Sequence, residues 1–157
     1  MKSITIPNEE LIPLIIEELH STPGKTVTLP LYGYSMRPFL ENGRDKGLLI
    51  APRPLLIGDV VLAVVDDGRY VLHRIVAFDG DRVTLRGDGN LLCEYCMMSD
   101  IKALALGFYR KGRTTLDRTD GLKWRVYSWW WMRLYPLRRY LLFLLYPHIP
   151  ARFKKKQ

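Results

Sequence analysis

Ser35 stands in the stretch "LYGYSMRPFL" (residues 31–40), two positions after Gly33 and three before Pro38. A hydroxyl is a weak nucleophile at neutral pH. A catalytic serine therefore needs a base within hydrogen-bond reach and N–H donors aimed at the oxygen that becomes negative. Gly33, lacking a Cβ, permits a sharp turn and close approach to the main chain, and Pro38 restricts the way out. The plainer role for Ser35 is that of a turn serine. Three histidines are available as a base: His20 at the end of a helical pattern, His148 near the C-terminus, and His73 in "YVLHRIV". Only His73 lies within an apolar strand pattern, where alternation groups it with Val71 and Ile75, opposite Leu72, Arg74 and Val76. Its plainer role is that of a packed core histidine.

Bringing such residues together requires the elements around them. The length of 157 residues, with 25% charged and 48% hydrophobic side chains, suits one ordered domain. Asn8 with Glu9 and Glu10 reads as a helix start, and Leu11, Ile12, Ile15, Ile16 and Leu19 recur at helical spacing until "STPGK". From Thr26 the period is two, with Val27, Leu29 and Leu31 on one face and Pro30 marking an edge strand. "GDVVLAVV" (58–65), "RYVLHRIV" (69–76) and "RVTLRG" (82–87), separated by "DDG" and "FDGD", predict a β-meander, and "IKALALGFYR" (101–110) predicts a strand returning to the sheet. The polar loop "KGRTTLDRTDG" (111–121) divides a body, 1–120, from a tail, 121–157.

In this order over residues 33 to 90, "GYSMRPFL", "GDVVLAV", "VLHRIV" and "LRGDGN" resemble the signal peptidase and LexA-like superfamily of serine peptidases. The pattern of that group runs Ser-Met-x-Pro, Gly-Asp, a base-bearing strand, then Gly-Asp-x-Asn. The likeness extends over about residues 8 to 110. It implies a mainly β, LexA/signal-peptidase-like fold of coiled sheets behind a short N-terminal helix, with Ser35 as nucleophile and His73 at the position of the general base. Gly33, Tyr34, Met36 and Pro38 would then adjoin the substrate. Bacterial signal peptidases and LexA-like proteins carry lysine at the base position; endoplasmic-reticulum and archaeal signal peptidases carry histidine. An amine with a pKa of ~10.4 must be depressed by several units to accept a proton at pH 7, whereas an imidazole at ~6.5 needs little adjustment.

A Ser/His pair usually has a third group that orients the imidazole. Asp88 of "GDGN" is one candidate, and Glu94 is another, because histidine-type relatives place an acid a few residues beyond the Gly-Asp motif. Asp88 and Asn90 also suit side-chain-bonded turn positions. The chain departs from the group as well. Gly33 stands where signal peptidases commonly carry a serine, as in LexA-like proteins, so backbone N–H groups are expected to supply the oxyanion hole. An N-terminal membrane anchor and a DNA-binding domain are expected to be missing, and no Ala-Gly or Cys-Gly dipeptide precedes Ser35 as a self-cleavage point.

Charge separates the two parts. Residues 1–121 hold 15 basic and 16 acidic side chains, whereas residues 122–157 hold nine basic side chains, no acid and all four tryptophans. The longest uncharged run there, Tyr140 to Ala151, is 12 residues, short of the ~20 that span a bilayer. A helical, aromatic and basic tail of this kind suits the surface of an anionic membrane, with Trp and Tyr among the headgroups and Leu141 to Leu145 beneath. The rivals are packing on the body or a partner protein, and single-stranded nucleic acid, which "LLFLL" disfavours.

Cys93 and Cys96 form a lone "CEYC" without a second pair, so neither a metal nor another cofactor is expected, only a reduced pair in a loop. The N-terminus has no signal-peptide pattern, which points to a cytoplasmic product held peripherally at the inner membrane face. The expectation is thus a serine endopeptidase acting on a precursor or leader peptide near the membrane. The alternative is a non-catalytic relative that binds an extended peptide as an added strand.

Overall fold

In the computed structural model, which describes residues 8–147, the alternating segments form one antiparallel sheet of eight strands accompanied by three α-helices. The amphipathic pattern becomes helix α1 (Asn8–Ser21), which buries Ile12, Ile15 and Leu19. β1 (Thr26–Pro30) follows at the sheet edge, where the missing N–H of Pro30 costs no ladder bond. It pairs with β2 (Lys46–Ile50), a strand the sequence pattern does not announce: it is five residues long, begins on a lysine and contains Gly47, whose neighbours are Leu31 and Phe108.

The predicted meander is present as β3 (Val60–Val64), β4 (Tyr70–Asp79) and β5 (Arg82–Arg86), and it continues into the short β6 (Glu94–Met97). After a 3₁₀ turn (Met98–Asp100), β7 (Ile101–Tyr109) runs back through the middle of the sheet. One edge of β7 carries β2; the other carries β3 along Ile101–Leu104 and then β8 (Leu116–Arg118) along Gly107–Tyr109. The resulting order is β1-β2-β7-β3-β4-β5-β6. β8 lies inside what the sequence presents as a polar loop; three residues are too few for alternation to register.

Alternation distributes the strand side chains between two hydrophobic clusters. Val60 and Leu62 join α1, β1 and the 36–40 turn in one, while Val61, Ala63, Val71, Ile75, Val83 and Leu85 form the other. Register shifts at Leu48/Leu49, Leu62/Ala63 and Ile75/Ala77 mark bulges, which bend the sheet locally. Cys96 belongs to the second cluster within β6, not to a loop as expected, and burial pushes its thiol up to about 11. Cys93 is half-buried, and both thiols are free.

The segment after Gly121 forms α2 (Leu122–Arg133) and α3 (Tyr135–Leu145). Although composition sets it apart, it packs on the body. Trp124 enters the first cluster, with its ring 4.3 Å edge-on from Phe39 and 5.2 Å from Phe108. Arg138, one of the nine basic side chains of this segment, is buried. Among the described residues no helix is long and apolar enough to cross a membrane. His148 and the terminal lysine run lie outside the described residues.

Candidate active site

Between β1 and β2 the chain makes a tight excursion that presents Ser35. Gly33 adopts φ of 97°, in the left-handed region that favours glycine, and the Arg37–Pro38 peptide is cis. Met36, Phe39 and Leu40 are buried and anchor the turn in the first cluster. Polar contacts fasten the rest: Gly33 N–H donates to Asn42 Oδ1 at 2.8 Å, and Arg37 grips the Glu41 carboxylate at 2.6 and 3.0 Å. Asp45 closes the excursion as a buried carboxylate. Burial opposes its charge, but bonds from Arg44 and from the N–H groups of Lys111 and Glu41 hold it below the usual carboxylate range.

His73 is buried in β4, paired with Val61 of β3. On its other side Arg74 pairs with Arg86, and extending that register by one residue sets Gly87 opposite His73. The glycine is required there. A Cβ on Gly87 would collide with the Ser35 carbonyl oxygen and stand 3.1 Å from His73 Nε2 and 2.9 Å from Asn90 Nδ2. Gly89 is as constrained: its N–H donates to the Ser35 carbonyl at 2.7 Å, and a Cβ would press on Tyr34 O. The two glycines of "GDGN" thus let the loop after β5 lie directly against the serine turn.

The other imidazole nitrogen faces Glu94, the first residue of β6, with Nδ1 2.6 Å from Oε2. The approach falls outside strict hydrogen-bond geometry, but both atoms are shielded from water and neither has another partner among the described residues, so the contact pairs them. Arg69 holds the second carboxylate oxygen of Glu94 at 2.8 Å. The bond to His73 foremost, helped by Arg69 and opposed by burial, brings the Glu94 carboxyl down to about 2. It is ionised at neutral pH, in the place where a carboxylate fixes the tautomer of an imidazole and stabilises its protonated form.

Ser35, His73 and Glu94 line one cavity of about 260 Å³, together with Gly33, Asn90 and the apolar side chains of Met36, Leu40 and Leu72. Tyr34 and Pro38, expected beside a substrate, are not part of that lining; Tyr34 is exposed, with the Arg37 guanidinium 4.3 Å from its ring centre. Asp88, the other candidate to orient the imidazole, is engaged elsewhere. Both its oxygens are taken by Arg74, at 2.8 and 2.7 Å, and Tyr127 adds a third donor at 3.3 Å. That buried pair is extended by Arg74 to Ser128 Oγ at 2.5 Å and to Gly58 O at 2.9 Å. Among the described residues no group of His, Cys, Asp and Glu is placed to hold a metal ion.

Sequence reading passed over the residues behind the site: Arg74, Ser128, Trp131 and Arg138. Arg74 does carry a signal, a cation within the apolar alternation "VLHRIV" that demands a buried partner. No family model matches the chain, and no curated protein matches it.

Proposed function

We propose that this chain is a serine endopeptidase of the signal-peptidase-like type, with a LexA-like β-fold, in which Ser35 is the nucleophile, His73 the general base and Glu94 the group that orients it. The observation that carries the reading is the arrangement around one imidazole. Glu94 occupies Nδ1, while Nε2 and the Ser35 backbone both lie within 3.1 Å of the point where a Gly87 Cβ would stand. Ser35 Oγ attacks the scissile carbonyl carbon and gives its proton to Nε2. The imidazolium, stabilised by the Glu94 carboxylate, passes that proton to the leaving amine as the C–N bond breaks. Water then adds to the acyl ester with His73 again as base, releasing the carboxylic acid and restoring the serine hydroxyl. Gly33 N–H is committed to Asn42, so oxyanion donors must come from other groups of the turn or from the Asn90 amide beside it.

Fluorophosphonate labelling followed by intact mass and peptide mapping tests this directly. The expected result is one adduct on Ser35, lost in Ser35→Ala and in His73→Ala, with cut sites in a peptide library that vanish in the same variants. A folded wild-type protein that takes no label would reject the peptidase reading and leave the peptide-binding one.

The reaction is placed at the inner face of an anionic membrane, with the protein held peripherally. What supports this is the outer side of the C-terminal helices. Leu122, Val126, Trp129 and Arg133 form one exposed stripe of α2, with the Arg133 guanidinium 4.2 Å from the Trp129 ring centre, and α3 exposes Leu137, Tyr140, Phe143 and Leu144. Aromatic rings, leucines and arginines without any acid match a headgroup region with acyl chains beneath. Because Trp124 and Trp131 are buried, removing the whole segment would damage the fold, so the variant to use is Phe143→Ser with Leu144→Ser. The wild type is expected to float with phosphatidylglycerol vesicles and the double variant is not; equal flotation of the two, or none for either, would reject the membrane reading.

A further inference from the structure

The loop that lies against Ser35 and His73 is held from behind by the two C-terminal helices. Residues 87–91 leave the sheet, so their carbonyls lose the ladder partners that a strand supplies. Four of those five carbonyls accept a donor from α2 or α3. Trp131 Nε1 reaches Asp88 O at 2.9 Å, and Tyr135 Oη reaches Leu91 O at 2.6 Å. Arg138 Nη1 bridges Gly87 O at 3.4 Å and Asn90 O at 3.3 Å, while its Nη2 donates to Trp131 O at 3.0 Å. The guanidinium thereby ties both ends of the turn to the helix that carries Trp131.

Arg138 is only 2% exposed, although it sits on a short helix with ample solvent-facing positions. A cation is buried at such a position when fixed acceptors repay its lost hydration. Its ring neighbours are Trp131 at 5.1 Å and Tyr135 at 5.5 Å, so the plane is confined as well. Burial lowers the guanidinium to about 10, so it is still charged at neutral pH.

Resting on the peptidase reading above, we propose that Arg138 is a positioning residue for the Ser35–His73 pair, acting through the Gly87 and Asn90 carbonyls. Gly87 fills the space between the Ser35 carbonyl and His73 Nε2, and Gly89 N–H holds the same carbonyl. A shift of the loop therefore moves both the serine turn and the space that borders His73 Nε2. The planar fork of arginine serves two carbonyls from one nitrogen and a third from the other; a lysine ammonium on a flexible stem cannot hold that geometry.

The test uses the full chain with Arg138→Lys, Arg138→Met and, as a milder change, Tyr135→Phe, which removes only the bond to Leu91 while keeping the ring. Two quantities are read: the fluorophosphonate acylation rate, split into maximal rate and half-saturating concentration, and deuterium exchange of the 87–91 amides. The maximal rate is expected to fall about 10- to 100-fold in Arg138→Met and less in Arg138→Lys, with half-saturation within about twofold. Exchange at 87–91 should rise in all three variants. Wild-type acylation in a folded Arg138→Met protein, or unchanged loop exchange, would overturn the proposal. If the wild type itself takes no label, the peptidase reading fails, and loop exchange in the same variants still decides whether Arg138 braces the loop.

Discussion

His73 Nδ1 and Glu94 Oε2 meet at 2.6 Å although their strands, β4 and β6, are not neighbours in the sheet. β5 lies between them and ends at Arg86, and the glycine that follows leaves no side chain in the way. An ionised carboxylate is thus delivered to one nitrogen, while the other borders the space that the absent Gly87 side chain leaves beside the Ser35 carbonyl.

Glu94→Gln keeps the size of that side chain and removes its charge, so the imidazolium loses its stabilising partner. Acylation of Ser35 is expected to slow by roughly 10²- to 10⁴-fold. Pseudo-first-order labelling with a fluorophosphonate measures this, and a rate within twofold of wild type would remove Glu94 from the site.

The same carboxyl makes stability depend on acid. Its folded value of about 2 lies below the ~4.3 of an unfolded glutamate, so the unfolded chain binds a proton first as pH falls. The contribution of Glu94 is complete above ~4.3 and is lost as pH drops through about 2. Urea unfolding between pH 5 and pH 2 should show a shallower acid loss for Glu94→Gln than for wild type. Parallel curves would contradict the pairing.

Gly87→Ala isolates the close approach of the loop. Gly87 is not in the left-handed region, so an alanine there meets no backbone strain; it meets the Ser35 carbonyl, Asn90 Nδ2 and His73 Nε2. Overpacking of this kind costs about 1–3 kcal/mol. Thermal unfolding should report that loss, and labelling should fall further than in a surface variant of equal stability.

Asp88 should behave differently from Glu94. Asp88→Asn leaves the Arg74 guanidinium buried without its counter-charge, which costs about 3–5 kcal/mol. Replacing both, as Arg74→Met with Asp88→Leu, should recover much of that loss. A double-mutant cycle by chemical denaturation measures the coupling, and additive losses would show that the pair is not an energetic unit.

Local chemistry announced much of this molecule. Period-two alternation with "DDG" and "FDGD" between the runs specified the β3–β5 meander, because side-chain direction and turn preference act over a few residues. The turn around Ser35, the strand bearing His73 and the "GDGN" loop were legible for the same reason. Strands as short or as glycine-containing as β2, β6 and β8 were not, since nothing within them outweighs a loop until a neighbour supplies the other half of each hydrogen bond.

The choice between Asp88 and Glu94 was beyond any reading of spacing. It rests on the pairing of Leu85 with Glu94 across β5 and β6, and on Arg74 claiming Asp88 first. Arg138 shows the same limit from the other side. By sequence it is one cation among several in an aromatic tail; the acceptors that surround it, Trp131 O and two carbonyls of a loop about fifty residues earlier, come together only in the fold. Residue type and short-range order establish which groups are available for chemistry; which of them meet is decided by strand register and by competition among buried partners, and both exist only once the chain has closed on itself.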